Sequence, residues 1–239
     1  MLHGERVVAL IPARGGSTGS PRKNVREVGD RPLLAWSIDV ANEADAVDRT
    51  VVSTDDDEIA GVAREYGAEV IDRPPELATD DALVADAVRH AVAHLRETGE
   101  SAAYAVLLEP TCPFREPGDV QNALERLADE ALDSVATFTD ASLNPHRAWT
   151  VEDGRPTPVV DGADPWQPRQ SLPEAYELNG GAYAFAIDAL PADGAAMLFG
   201  EAGAVTMPPE RSVDIDTPLD LTFARVVAER RGDEHRLDF

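Results

Sequence analysis

Along the chain, short β-branched apolar runs alternate with longer stretches in which apolar residues recur every three or four positions. That alternation is the pattern of βαβ units around a mainly parallel sheet, so the sequence predicts an α/β fold. Val7–Pro12 reads as the first strand, followed by a glycine-rich loop to about Asn24. A helix is expected near Pro32–Asn42, whose proline suits the first turn, then a strand at Thr50–Thr54. Asp56–Tyr66 predicts a helix, Ala68–Asp72 a strand, and Asp81–Glu97 a long helix with apolar Leu83, Val84, Ala87, Val88, Ala91 and Val92 on one side. Tyr104–Glu109 and Ser134–Thr139 read as strands flanking a helix at Gly118–Glu130.

The alternation then fails. From Asp140 to Leu178 the chain is rich in proline, tryptophan and polar residues. A stretch this long without clear elements is more often a functional loop or small lobe than disorder, and Trp149 and Trp166 argue against disorder. Strands resume at Gly181–Ile187 and Ala204–Met207, and Leu219–Arg230 reads as a closing helix. Residues 1–239 therefore form one expected domain, with 140–178 an extended segment inside it.

Charge changes the picture of partners. The chain has 45 acidic residues against 21 basic ones, a formal net charge of −24. Such a surface repels nucleic-acid backbones and anionic membranes, and its self-repulsion suits a salt-rich, halophile-like cytoplasm. No apolar run approaches the length of a membrane span, and a single cysteine, Cys112, excludes an internal disulfide. A cytoplasmic location is the expectation.

Against this acidity stands one basic loop, PARGGSTGSPRKN. Gly15, Gly16 and Gly19 let backbone amides approach a ligand, Ser17 and Thr18 add hydroxyls, and Arg14, Arg22 and Lys23 add positive charge. Lys23 is the chain's sole lysine. In an open parallel sheet ligands bind beyond the carboxyl ends of the strands, where this loop is expected to lie. Its spacing matches neither the phosphate-loop pattern nor the dinucleotide fingerprint. A polyanion cradle of a different kind is implied.

The segment LIPARGGSTGSPRKNVREVGDRPLLAWSI resembles the cytidylyltransferases that make CMP-sialic acids and related nonulosonic acids. The resemblance continues in the same order through VVSTDDDEIAGVAREYGAEVIDRPPELATD, LLEPTCPFR, RQSLPEAYELNGGAYAF and SVDIDTPLDL. It implies a Rossmann-like three-layer nucleotidyltransferase fold with a small dimerisation lobe, Mg²⁺ dependence, and CTP and an acidic sugar as substrates. It also implies a homodimer in which the extended segment reaches into the partner's site. By motif position Arg14, Ser17, Lys23 and Asn24 would hold the triphosphate, with Arg14 and Lys23 catalytic. Arg73 and Thr79 would lie near cytosine and ribose. Glu109, Arg169, Asn179 and Tyr183 would face the sugar.

Asp214 and Asp216 are the metal candidates, Asp216 also a catalytic one. Two residues apart on an extended chain, they project to the same side, as hard-oxygen ligands to one Mg²⁺ must. Three positions depart from the resemblance: Thr18 stands where many members carry lysine, Glu109 replaces glutamine and Cys112 replaces serine. Glu109 bears on the sugar more than on the reaction, because a carboxylate repels an anionic sugar unless protonated or facing a cation. Asp86, His90 and His94 fall at helical spacing and read as a solvated face rather than a metal site. Cys112 and Trp36 read as packing residues. The rival functions are the same chemistry on ketodeoxyoctonate or a hexosamine phosphate, and an inactive nucleotide-binding homologue.

Overall fold

The computed structural model describes the backbone of residues 1–16 and 22–237 and side chains through residue 231. The apolar runs become the central strands of a sheet: β1 (Val7–Pro12), β4 (Arg49–Thr54), β5 (Glu69–Asp72), β6 (Tyr104–Leu107), β7 (Ser134–Asp140), β10 (Tyr176–Ala186) and β11 (Ala202–Thr206). Two short hairpins, β2 (Glu27–Val28) with β3 (Arg31–Pro32) and β8 (Trp149–Glu152) with β9 (Arg155–Pro158), lie outside it. The helices are α1 (Leu33–Glu43), α2 (Asp57–Glu65), α3 (Val84–Glu97), α4 (Pro117–Asp129) and α5 (Pro218–Leu237).

The seven strands run in the order β11-β7-β10-β6-β1-β4-β5. β10 is antiparallel to both its neighbours and the other pairings are parallel. Alternate residues of β1 feed two cores. Val7, Ala9 and Ile11 pack beneath α1, α2 and α4, while Val8 and Leu10 pack with Val88, Ala91, Val92 and Leu95 of α3 on the opposite face. Three layers result, as expected for a sheet buried on both sides. A smaller cluster of Val28, Leu33, Phe114, Ile215, Leu221 and Ala224 fastens α5 to the body. Trp36 belongs to it, donating its indole N–H to the Val28 carbonyl and meeting the Phe114 ring edge-on.

Two expectations need correction. Leu83 and Val84 do not enter the core; α3 begins only at Val84, and its first turn overhangs the sheet so that both residues are exposed. Segment 140–178 does contain regular structure, the β8–β9 hairpin and the start of β10. Its side chains point outward on both sides of the hairpin, which removes the two-residue periodicity a half-buried strand shows. Among the described residues no helix is long and apolar enough to cross a membrane.

Candidate active site

Chain direction reverses at β1. From β1 the chain moves to β4 and β5 on one side, then returns to β6 on the other. The crevice beyond the carboxyl ends of two such strands is the preferred ligand site of open α/β sheets. A cavity of about 390 Å³ opens there, walled by Pro12, Arg14, Lys23, Asn24, Arg73, Glu109, Thr111, Asp214 and Asp216, with Leu77, Ala82, Leu83 and Val84 forming an apolar shelf. The exposure of Leu83 and Val84 is thereby explained.

The stem of the basic loop is pinned from several directions. The Ala13 amide donates to the Ser53 carbonyl, and the buried Asn24 amide donates to the Arg14 carbonyl. Gly15 donates its N–H to Asp55, and a side chain in its place would meet the Asp56 carboxylate at 2.7 Å. Asp56 is fixed in turn, because it caps α2 by accepting from the amides of Glu58 and Ile59. Arg22 takes a left-handed backbone conformation, φ 57°, and its guanidinium pairs with Glu58 and Asp56. Residues 17–21, with the expected Ser17 contact and the Thr18 departure, lie outside the described residues.

Each cation at the cavity is held by oxygen from this chain. Arg14 donates to the Thr79 carbonyl and pairs with Asp80 at 3.2 Å. Arg73 is buried beside β4, donating to the Ser53 carbonyl at 2.6 Å and its hydroxyl at 3.2 Å. Burial, opposed by Asp55 and reinforced by Arg14, lowers its pKa to about 10. Lys23, only 12% exposed, donates to the Ile215 carbonyl at 2.5 Å and sits 3.4 Å from Asp216.

Asp214 and Asp216 flank Ile215, whose buried side chain anchors the segment while its N–H donates to the Thr111 carbonyl. Both carboxylates reach the cavity wall, as the two-residue spacing predicts. Arg211 secures the segment upstream with a two-pronged bond to the buried Asp119 at the start of α4. Downstream, Asp220 accepts from the amides of Asp216 and Thr217, capping α5. Asp214 is raised above the usual carboxylate range, chiefly by burial and then by Asp216, against a lowering hydrogen bond with Thr111. Two hard-oxygen donors on one wall suit Mg²⁺, which takes one or two carboxylates and completes its shell with phosphate and water.

Glu109 closes the floor just past β6. Burial and Asp214 push its pKa up to about 7, with Arg115 opposing them. Arg115 is fully enclosed and donates to the carbonyls of Glu109 and Cys112, fixing the turn. Opposite lies Gly180 with φ +66°, where a Cβ would stand 2.7 Å from the Glu109 carboxylate. Among the described residues no group of three acidic, histidine or cysteine side chains is close enough to share a metal ion. Glu109 nonetheless feels the charge of the Asp214–Asp216 pair across the same cavity.

A family model for cytidylyltransferases matches residues 8–154, the part that builds β1, the basic loop, β4 through β7 and Glu109. The chain belongs to the cytidylyltransferase family. It is 30% identical over 95% of its length to the post-translational flagellin modification protein B of Campylobacter coli, covering 96% of that protein. Identity to the pseudaminic acid cytidylyltransferase of Campylobacter jejuni is 28%, over 92% of this chain and 95% of the relative. An N-acylneuraminate cytidylyltransferase of Escherichia coli O18:K1:H7 is 36% identical over 50% of this chain, which spans 28% of that longer protein. A CMP:2-keto-3-deoxy-manno-octonic acid synthetase complexed with CTP shares the fold, with TM-score 0.71 over 95% of this chain and 99% of that one at 19% identity. The expected nucleotidyltransferase fold and enzyme class stand on these matches.

Of the expected site residues, Arg14, Lys23, Asn24, Arg73, Glu109, Asp214 and Asp216 converge on the cavity. Thr79 contributes its carbonyl to Arg14 at the rim. Asn179 does not face the cavity within this chain; buried, it bonds Thr137 and Ser212 and steadies the β10 bend. Tyr183 is largely buried behind Glu109, and that burial, with the Glu109 and Asp214 charges, raises its pKa. Arg169 lies elsewhere, lining a separate groove of about 600 Å³ with Arg147, Asn144 and Tyr176 in the outer lobe. Asp86 is paired with Arg89 and Cys112 is buried, burial raising its thiol pKa, in keeping with structural roles.

Several contributors were not singled out by sequence reasoning: Asp55, Asp56, Thr111, Arg115 and Gly180. Their signals were present. The acidic run follows the β4 run, Thr111 and Arg115 follow β6, and Gly180 begins a Gly-Gly pair inside a strand pattern, a sign of close approach.

Proposed function

We propose that this cytidylyltransferase joins CMP from CTP to the anomeric hydroxyl of a nonulosonic acid, with release of pyrophosphate. The observation that carries the reading is the convergence of Arg14, Lys23 and Arg73 with Asp214 and Asp216 at the β1–β6 crevice. The names of the full-length relatives support the acid, and the nucleotide follows from the family.

Nucleotidyl transfer needs positioning and charge neutralisation more than covalent help from the protein. Arg14 and Lys23 exchange their internal oxygen partners for phosphate oxygens, and Asn24 keeps the loop stem in place. The Leu77–Val84 shelf and Arg73 hold the nucleoside end. Asp214 and Asp216 would hold Mg²⁺, which supplies charge neutralisation at the triphosphate when bound. The sugar hydroxyl gives up its proton to solvent as its oxygen bonds the α-phosphorus and the bond to the departing pyrophosphate breaks.

The chain is read as a homodimer. Leu143, Trp149, Val151, Val159, Trp166, Tyr176 and Leu178 are all exposed on the 140–178 lobe, an apolar concentration that a second copy would cover. A light-scattering mass of two 25.6 kDa chains at micromolar concentration is expected; a single-chain mass with activity intact would defeat it. Its single, buried cysteine and acid-dominated surface favour a cytoplasm, one rich in salt. The deciding assay is pyrophosphate release across four nucleoside triphosphates with nonulosonic acids, ketodeoxyoctonate and hexosamine phosphates as acceptors. Turnover restricted to a hexosamine phosphate, or none with any acceptor, overturns the reading.

A further inference from the structure

We propose that the turn after β6, with Thr111 at the cavity and Arg115 behind it, is the positioning element that keeps Asp214 and Asp216 in place when Lys23 turns to phosphate. The inference rests on the reading of these two carboxylates as the Mg²⁺ ligands.

The backbone of Ile215, between the two carboxylates, is clasped on both sides. Lys23 donates to its carbonyl at 2.5 Å, and its own N–H donates to the Thr111 carbonyl at 2.9 Å. The two clasps are not equivalent. Lys23 exchanges the Ile215 carbonyl for phosphate in the reaction read above, so Thr111 is the clasp that remains. Thr111 also lines the cavity beside both carboxylates. Burial raises the Asp214 carboxyl, and a hydrogen bond from the Thr111 hydroxyl opposes that rise. One residue on, the Cys112 thiol donates to the Arg211 carbonyl at 3.5 Å, a second tie between this turn and the acidic segment.

Such a clasp works only if the turn itself is rigid. Arg115 supplies the rigidity from behind: it is buried, does not line the cavity, and donates to the Cys112 carbonyl at 2.9 Å and to the Glu109 carbonyl. One planar fork thereby spans the residues on either side of Pro110 and Thr111, which the point charge of a lysine does not do. The third nitrogen, Nη1, is buried with no hydrogen-bond partner among the described residues. A buried charged donor left partly unpaired is costly, more than a turn needing only packing would require. Rigidity here reaches the metal, because Mg²⁺ demands near-ideal geometry and groups that orient its ligands set its affinity.

The test measures Mn²⁺ binding by electron paramagnetic resonance, with CTP present and no acceptor, and beside it the Mg²⁺ concentration for half-maximal turnover. Arg115→Lys keeps the charge and loses the fork, and is expected to weaken Mn²⁺ binding about tenfold and raise the Mg²⁺ requirement alike, with kcat recovering at high Mg²⁺. Thr111→Val keeps the shape and removes the hydroxyl; a smaller shift in the same direction is expected, and Thr111→Ser should reverse most of it. A merely structural role would lower the thermal transition and leave both metal readouts at the parent value, and that outcome in a folded Arg115→Lys overturns the proposal. Should Arg115→Lys not fold, parent-like metal readouts in Thr111→Val overturn it instead. Asp216→Asn separates this proposal from the reading beneath it. If that variant binds Mn²⁺ as the parent does, the metal assignment falls and takes the proposal with it; if it loses Mn²⁺ while the turn variants do not, the proposal falls alone.

Discussion

The two ends of the cavity follow opposite electrostatic plans. Around the basic loop each cation already has a partner: Asp80 for Arg14, Glu58 for Arg22, Asp216 for Lys23. On the cavity floor Glu109 has Arg115 beside it, yet burial and the Asp214 charge outweigh that cation. Internal counter-ions allow a chain of net charge −24 to hold a basic cradle in place, ready to trade carboxylate for phosphate. A carboxylate crowded by burial and a second carboxylate does the reverse, favouring its own protonation.

The sharpest attack on this contrast is at Asp216, which serves the nucleotide end twice, as metal candidate and as the partner of Lys23. Asp216→Asn keeps size and removes one charge, so turnover is expected to fall to background while the thermal transition stays close to the parent. Turnover curves against Mg²⁺ concentration that coincide for parent and variant would place the metal elsewhere.

Next in size is Lys23→Ala. The leaving pyrophosphate loses its buried point charge, a loss of about 2–4 kcal/mol in transition-state stabilisation, or roughly 30- to 10³-fold in kcat. Near-normal turnover with CTP would remove the basic loop from the chemistry.

The Glu109 side of the cavity is probed by pH. Glu109 has a native pKa of about 7 against an ordinary 4.5, so the folded state binds the proton more tightly than the unfolded chain does. Its contribution to stability is fully present below pH 4.5 and is lost as pH rises through 7. The stability of the parent minus that of Glu109→Gln should therefore fall across this window by up to about 3 kcal/mol. Parallel denaturation curves for the two proteins from pH 4.5 to 8 would show that Glu109 is already compensated.

The smallest expected effect is the most specific to the counter-ion plan. Glu58→Gln frees Arg22 from an exposed partner and should lower the KM for CTP by about two- to fivefold, within the range of surface ion pairs. A KM that rises instead would make Glu58 a support of the loop rather than a placeholder.

How far all this was legible in the sequence depended on burial. β1 declared itself because VVALIP is covered on both faces, and Asp214 and Asp216 were readable because a buried apolar residue between two carboxylates is a strand pattern. The β8–β9 hairpin was not, since exposure on both faces leaves no period to detect. Leu83 and Val84 misled because apolar side chains at a helix start look alike whether they line a core or a cavity. Arg169 was grouped with Glu109 by its motif, yet the chain places it in the outer lobe. Partnerships such as Arg14 with Asp80, Arg22 with Glu58 and Arg211 with Asp119 join residues whose distance along the chain carries no local signal.

The Lys23–Ile215 bond spans 192 positions. Closing a loop of that length is among the slow, entropically opposed events of folding, and it comes after the local βαβ units have formed. On a chain growing from its N-terminus, the basic loop emerges long before the carboxylates that complete its cavity. Until α5 and the Asp214–Asp216 segment pack back against Phe114 and Val28, the nascent protein has most of its sheet and no finished site. Assembly of the catalytic centre is thereby a late checkpoint of folding, and a partly made chain has no means of consuming nucleotide.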